Sequence, residues 1–319
     1  MSPPASVPRR VLVVLLAVAV LPVAVAATRA ARSTAAADVP ATKAAPTRAC
    51  GRSPAGAGAF TQALVSGGRQ RTALVDVPRA ATSGPAPLLL AFHGSGGTGQ
   101  FMRGYSGLSR VARSAGFVAV YPSAAGPRWN LEEAEDPQRA DDVRFVRELI
   151  DQLGGRVCFD KTRVYAAGVS NGGGFAALLG CRLSHRIAAI AAVAGGYGDL
   201  PPCGPDRPVS VLEIHGTQDQ VVPYDGRDGR GAARQFAADW AGRDGCAPDP
   251  RERQIAANTV RFDWRSCAAG ASVAHIELIG GAHAWPGATP PDRGPASAIA
   301  AAPVIWQFVA PHRLAPAAR

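Results

Sequence analysis

The stretch Val164-Tyr-Ala-Ala-Gly-Val-Ser-Asn-Gly-Gly-Gly174 decides how the rest of the chain is interpreted. It begins as a short apolar run typical of a buried strand, turns sharply, and continues as a helix predicted from Gly173 to Leu183. G-x-S-x-G between a strand and a helix is the nucleophile elbow, a strained turn that lifts the serine Oγ clear of the sheet. The pattern predicts Ser170 as a nucleophile. It also predicts that the next backbone N–H, from Asn171, points toward a developing oxyanion.

The composition favours a folded enzyme-sized globule. The chain has 319 residues, 47% of them hydrophobic and 18% charged, so we expect little disorder beyond the ends. The formal charge is +10, from 34 Lys+Arg against 24 Asp+Glu, but the basic residues are scattered. Because no basic run has interleaved aromatic residues, we expect no nucleic-acid partner.

The six cysteines indicate a disulfide-permissive compartment. None is spaced as C-x-x-C, and no nearby histidine pair completes a zinc site, so we expect no metal. Cys246 and Cys267 flank one loop-plus-strand segment and are the predicted pair. The pairing of the others stays open: Cys50, Cys158, Cys181 and Cys203.

The N-terminal residues 1–27 have the pattern of a secretory signal. Arg9-Arg10 form the charged region, an apolar core follows from Val11 to Leu21, and Ala24-Val-Ala26 supplies small residues for cleavage. The alternative is an uncleaved anchor, but Pro22 interrupts a run that is barely long enough to span a membrane. We therefore expect cleavage, secretion and no membrane association afterwards. Residues 28–49 are predicted as a flexible linker, and residues 50–319 as one domain.

Strand and helix patterns alternate through that domain. Predicted strands are Arg71–Pro78, Leu88–Phe92, Phe117–Tyr121, Ile187–Val193, Val209–Ile214 and Val273–Ile279, besides the one before the elbow. Predicted helices are Phe101–Ala115, Asp141–Leu153, Gly231–Gly242 and Ala296–Val309, besides the one after it. This order predicts a mostly parallel central sheet with helices on both faces, whose ligands bind at the carboxyl ends of the strands.

Partners for Ser170 follow it in the chain order Ser, Asp, His, which is the order of the α/β-hydrolase fold. Asp219 follows one later strand in His215-Gly-Thr-Gln-Asp219, and His283 follows the last strand in Gly281-Ala-His283. We predict that His283 takes the proton of Ser170 and that Asp219 orients the imidazole.

Other residues of the same types are weaker candidates. His275 lies inside a strand, His185 and His312 lie outside the predicted site, and His215 ends the strand that carries the acid. Asp225 and Asp228 follow the same strand as Asp219 but lie farther from its end.

A second oxyanion donor is predicted in the turn His93-Gly-Ser-Gly-Gly97, which follows an early strand. The N–H of Ser95 is the first candidate, with Gly96 second, and His93 is interpreted as structural. Trp285, two residues after His283, is predicted to contact substrate, although a core position fits it equally well. Trp129 is a further candidate for lining the same pocket.

These residues resemble a known family, the secreted esterases of the polyhydroxybutyrate depolymerase and feruloyl esterase group, including LpqC-like esterases. The resemblance covers roughly residues 50–309. The pieces that carry it are His93-Gly-Ser-Gly-Gly97, Arg163-Val-Tyr-Ala-Ala-Gly-Val-Ser-Asn-Gly-Gly173, His215-Gly-Thr-Gln-Asp-Gln-Val-Val-Pro-Tyr224 and His283-Ala-Trp-Pro-Gly287. It implies the same triad (Ser170, Asp219 and His283), no metal and no organic cofactor.

The resemblance implies a serine carboxylesterase of the polyhydroxybutyrate depolymerase type, with feruloyl or acetyl-xylan ester hydrolysis as the alternative. Many polyester depolymerases carry a separate polymer-binding domain, and this chain ends soon after the last predicted helix. We therefore expect small or oligomeric esters as substrates. An alternative of another class is a non-catalytic binding protein with a hydrolase-like fold. The sequence leaves the oligomeric state open.

Overall fold

The computed structural model describes residues 53–132, 140–198, 200–227, 231–289 and 297–315. The predicted signal (1–27) and linker (28–49) lie outside these residues, as does Asp228. Within the described residues, no helix is long and apolar enough to cross a membrane.

The core of the domain is one ten-stranded sheet. In chain order its strands are β1 (Gly58–Ser66), β2 (Arg69–Val77), β3 (Ala86–Phe92), β4 (Val118–Pro122), β5 (Phe159–Val169), β6 (Ala189–Val193), β7 (Ser210–Gly216), β8 (Arg251–Ala256), β9 (Thr259–Trp264) and β10 (Val273–Leu278). Their order across the sheet is β1-β2-β4-β3-β5-β6-β7-β10-β9-β8. The centre, from β4 to β10, is parallel, and both edges are antiparallel. The prediction of a mostly parallel sheet is confirmed.

Helices cover both faces of the sheet. They are α1 (Gly99–Tyr105), α2 (Leu108–Ala115), α3 (Asp142–Leu153), α4 (Asn171–Arg182), α5 (Ala233–Arg243) and α6 (Ala301–Val309). One apolar core contains side chains of α3, α4 and α5, and the other contains side chains of α1, α2 and α6. Because the central strands are buried on both faces, they read in sequence as continuous apolar runs.

Two predictions of secondary structure are corrected. The single helix expected over Phe101–Ala115 is two helices, because Gly107 adopts a left-handed conformation with φ of 72° between them. The strands β1, β8 and β9 were not predicted. They belong to the antiparallel margins of the sheet, where polar residues interrupt the apolar runs seen at the centre.

Two disulfides lie among the described residues. Cys246 pairs with Cys267, which confirms the predicted bridge. Cys181, in α4, pairs with Cys203, with 5.4 Å between their Cα atoms. These two bridges close loops of 21 and 22 residues.

Candidate active site

The turn after β5 holds Ser170 in a conformation that few non-glycine residues adopt, with φ of 56° and ψ of −124°. The neighbouring glycines are required by close approach. A Cβ on Gly168 would overlap the carbonyl of Gly172, and a Cβ on Gly172 would overlap the carbonyls of Phe92 and His93. The strained serine and the tight crossing of strand and helix are the geometry that the G-x-S-x-G pattern predicts.

A histidine and a carboxylate meet at the carboxyl ends of two adjacent strands. Asp219 follows β7 and His283 follows β10, and these strands pair in parallel. His283 Nδ1 lies 2.7 Å from Asp219 Oδ2. Asp219 is buried, and its Oδ1 accepts the backbone N–H groups of Val221 and Val222, each at 2.8 Å. The carboxylate is therefore fixed before any ligand binds, and it holds the imidazole with Nδ1 protonated.

Ser170 follows β5, and β5, β6, β7 and β10 are parallel neighbours in the sheet. The carboxyl ends of these strands therefore lie on one side, which places Ser170 on the same side as the His283–Asp219 pair. Among the described residues, no hydrogen bond joins the Ser170 hydroxyl to the His283 imidazole. Such bonds are often long without substrate and tighten when it binds.

A second imidazole, which the sequence did not predict, contacts the same carboxylate. His215 Nε2 lies 3.2 Å from Asp219 Oδ2, the oxygen that His283 also contacts. Burial alone would raise the pKa of Asp219, but the hydrogen bonds from His215 and His283 hold it well below its usual range. The four-residue spacing of His215 and Asp219 in the His-Gly-Thr-Gln-Asp run is the sequence signal for this contact. The same run also fits the end of a strand, which is the interpretation given to His215 above.

The predicted oxyanion donors flank Ser170. The built Cβ of Gly94 would contact the Ser170 Cβ at 3.3 Å, so the turn after β3 lies against the elbow. Gly96 is unsuited as a donor, because its N–H already donates to Pro127 O at 2.6 Å. Among the described residues, the N–H groups of Ser95 and Asn171 make no backbone hydrogen bond, so both stay available for a ligand oxygen.

The His93 side chain holds this turn in place through two hydrogen bonds. It is fully buried, and its Nε2 accepts the N–H of Ala124 at 3.1 Å. Nδ1 therefore carries the proton and donates it to Gly94 O at 2.8 Å. Burial lowers the pKa of His93, which keeps the ring neutral and agrees with its interpretation as structural.

A cavity of about 340 Å³ lies beside the elbow. Its lining mixes polar side chains, such as Arg69, Arg128 and Asn171, with apolar ones, such as Pro127 and Leu131. The side chain of Asn171 binds the backbone of Trp129 in one wall of the cavity. Its Oδ1 accepts the backbone N–H of Trp129 at 2.7 Å, and its Nδ2 donates to the backbone carbonyl of Trp129 at 3.2 Å. The Trp129 ring is only 1% exposed and stacks on Phe175, so it supports the wall more than it faces the cavity.

The prediction of substrate contact by Trp285 is wrong. This tryptophan is 1% exposed and packs in the core shared with α6, and its indole N–H donates to Ser106 O at 2.9 Å. Of the alternative acids, Asp225 is exposed, whereas Asp219 is buried. No cluster of three or more metal-binding side chains occurs in the described part of the chain.

Comparison with known proteins finds two informative relatives. The chain is 33% identical over 217 residues to Feruloyl esterase B of Piromyces equi, covering 62% of this chain and 40% of that protein. It is 31% identical over 232 residues to a protein named as the esterase NocK, from Nocardia uniformis subsp. tsuyamanensis, covering 65% of this chain and 67% of that protein. The match thus spans less than half of the Piromyces protein. No protein-family model matches the chain.

Among solved structures, an acetyl xylan esterase from Aspergillus awamori has a similar fold. The TM-score is 0.59 at 14% identity, covering 79% of this chain and 99% of that chain. At this level of identity the similarity concerns the fold alone.

Proposed function

Because this chain belongs to the feruloyl esterase-like family of α/β-hydrolase esterases, we propose that it hydrolyses carboxylic esters through an acyl-enzyme on Ser170. One observation carries the proposal. The His283 imidazole is bound at 2.7 Å by a buried carboxylate, at the sheet edge where a strained elbow presents a serine.

The reaction uses the substrate, water, these side chains and two backbone N–H groups. The Ser170 Oγ attacks the ester carbonyl carbon while His283 Nε2 takes its proton. The carbonyl oxygen becomes an oxyanion that accepts the N–H groups of Asn171 and Ser95. When the intermediate collapses, the C–O bond to the alcohol breaks, and His283 gives its proton to the departing oxygen.

Deacylation repeats the same sequence with water. His283 takes a proton from the water that attacks the acyl carbon, and then returns it to Ser170 as the acid leaves. Asp219 stays ionised throughout, because four donors surround its oxygens. Its charge stabilises the imidazolium that forms in each half of the reaction.

We propose acyl esters on polysaccharide as the substrate class, aromatic or acetyl. The names of relatives support this class, since they include a feruloyl esterase and a bifunctional acetylxylan esterase/xylanase. The polar side chains in the cavity beside Asn171 also suit a hydroxyl-rich alcohol. Hydrolysis of 3-hydroxybutyrate esters stays the rival prediction from the sequence.

We propose export as the route to that substrate. It is supported by the signal pattern of residues 1–27 and by two disulfides among the described residues, since such bridges persist in oxidising compartments. N-terminal sequencing of protein recovered from the culture medium would test it. An intact N-terminus in the cell fraction would contradict it.

The function is tested by a hydrolysis panel on the purified chain with Ser170→Ala as control. The panel compares methyl ferulate, acetylated xylan oligomers and 3-hydroxybutyrate oligomers. We expect turnover that the control lacks, fastest on the first two. Turnover on none of them, from folded protein, would favour a non-catalytic binding role.

A further inference from the structure

A cluster of buried ionisable side chains lies beneath Asp219, and the mechanism above does not use it. Glu213 and His215 stand two residues apart on β7 and therefore point to the same face of the sheet. His275 on β10 is the direct register partner of Glu213. All three are 0–1% exposed. Buried ionisable groups are costly unless they are paired, so the hydrogen bonds of this cluster are informative.

The contacts of Glu213 fit an ionised carboxylate. Its Oε1 lies 2.9 Å from His215 Nδ1 and accepts the Tyr197 hydroxyl at 3.1 Å. Its Oε2 lies 2.6 Å from His275 Nδ1. An ionised carboxylate can accept from both imidazoles at once, whereas a protonated one could donate its single proton to only one of them. These charge-assisted bonds offset burial and lower the pKa of Glu213 to about 2.

The ring of His215 faces oxygen acceptors on both sides. Nδ1 meets the Glu213 carboxylate at 2.9 Å, and Nε2 meets Val222 O at 2.9 Å and Asp219 Oδ2 at 3.2 Å. A neutral imidazole has one N–H, so it would leave a lone pair against an acceptor. The doubly protonated ring satisfies both sides. Burial alone would lower the pKa of His215, but the Glu213 charge and the bonds to Asp219 raise it to about 10.

We propose that His215 is a permanently cationic positioning residue that holds Asp219 Oδ2 in place and keeps His283 available as a neutral base. The inference rests on the proposed serine mechanism. Both imidazoles share one carboxylate oxygen, so the His215 charge weakens the attraction of Asp219 for a proton on His283. Without that cation, His283 protonates at higher pH and the enzyme loses its base sooner as pH falls.

The groups on the far side of Glu213 supply a matched control. His275 is as buried as His215 and shares the same carboxylate, but among the described residues it makes no hydrogen bond with Asp219. Its Nε2 lies 2.8 Å from the Tyr224 hydroxyl, which donates to Glu277 at 3.0 Å. Replacing His275 disturbs the same cluster while leaving the environment of the Asp219 oxygens in place.

The first readout is the charge of His215, independent of turnover. Ring-nitrogen NMR of histidine-labelled wild type, with His215→Gln to assign the signals, reports the protonation of each ring. We expect both His215 nitrogens to stay protonated from about pH 6 to about pH 8.5. A neutral His215 ring at neutral pH would overturn the inference, whatever the enzyme hydrolyses.

The second readout is the pH profile of kcat/KM, whose acid limb reports protonation of the free enzyme's base. For His215→Gln we expect the midpoint of that limb to rise by about one pH unit, from the loss of a nearby charge. For His275→Gln we expect no shift. An unmoved limb in folded His215→Gln would refute the positioning role.

If His215→Gln does not fold, the double variant Glu213→Gln/His215→Gln replaces it. This variant removes a buried charge of each sign, so it avoids leaving Glu213 unpaired. We expect the same direction of shift, because the lost cation is the group that contacts Asp219. Failure of the wild type to hydrolyse any ester refutes the proposed function instead, and is distinguished by the NMR result.

Discussion

Asp244→Asn should change how the stability of the fold depends on pH. Asp244 ends α5, where a carboxylate opposes the helix dipole. Its side chain is buried; Oδ1 accepts the Val209 N–H at 3.1 Å, and Oδ2 has no partner among the described residues. Burial raises the pKa of this carboxyl from 3.8 to about 6. The contact also anchors the start of β7, the strand that leads to Asp219.

The direction in which stability changes with pH follows from proton linkage. The folded state binds this proton more tightly than the unfolded chain, so the resulting stability is fully present below the unfolded pKa of 3.8 and is lost as pH rises toward 6. A difference of roughly 2 pKa units corresponds to about 2–3 kcal/mol. The asparagine cannot ionise but keeps an oxygen for the Val209 N–H. The free energy of unfolding of the variant, relative to wild type, should therefore rise by about 2–3 kcal/mol between about pH 4 and pH 7.

Urea unfolding of both proteins across that pH range, with the disulfides intact, measures the difference. Titrations of all other groups are shared and cancel. Asp239→Asn is the matched control, because Asp239 lies on the same helix but is exposed. This control measures the effect of removing an exposed carboxylate from the same helix. If the free energies of unfolding of Asp244→Asn and wild type change with pH in parallel, the raised pKa assigned to buried Asp244 would be refuted.

Three further predictions concern the site and its supports. Asp219→Asn should lower kcat by about 10⁴-fold with little change in KM, because an amide cannot hold the His283 tautomer; steady-state kinetics checks this, and a loss under tenfold would contradict it. Arg71→Met should cost about 3–5 kcal/mol in urea unfolding, since it leaves Asp142 as an unpaired buried charge. Adding Asp142→Asn should recover part of that loss, and no recovery would argue against the ion pair. Reducing the disulfides should lower the melting temperature, because each bridge of 21 or 22 residues contributes about 3 kcal/mol by loop closure; unchanged melting under reductant would exclude that contribution.

The central sheet could be predicted because its strands are buried on both faces. Runs such as Leu88–Phe92 contain no polar residue, and several are followed by a glycine-rich turn at the carboxyl ends of the strands, where ligands are expected. The edge hairpin of β8 and β9 could not, since Arg251–Ala256 is almost wholly exposed and its residues suit a loop equally well. The hairpin joins the sheet through the antiparallel pairing of β9 with β10, which the residues of β8 do not indicate.

The chain order of the candidate site could be predicted, but the burial and the contacts of its side chains could not. Chain order and strand ends pointed to Asp219 and His283, which the structure joins at 2.7 Å. Sequence alone does not say which way an aromatic side chain turns, and Trp285 turns into the core. The contact of His215 with Asp219 was also missed, because it depends on how the loop after β7 folds back over the strand end.

The most direct test of the account is labelling of the folded protein by a fluorophosphonate, followed by intact mass and peptide mapping. The account predicts one label per chain, on Ser170, with labelling slowed strongly by His283→Ala and abolished by Ser170→Ala. A wild-type protein that folds but stays unlabelled, or that carries the label on another residue, would contradict the assignment of Ser170 as the activated nucleophile.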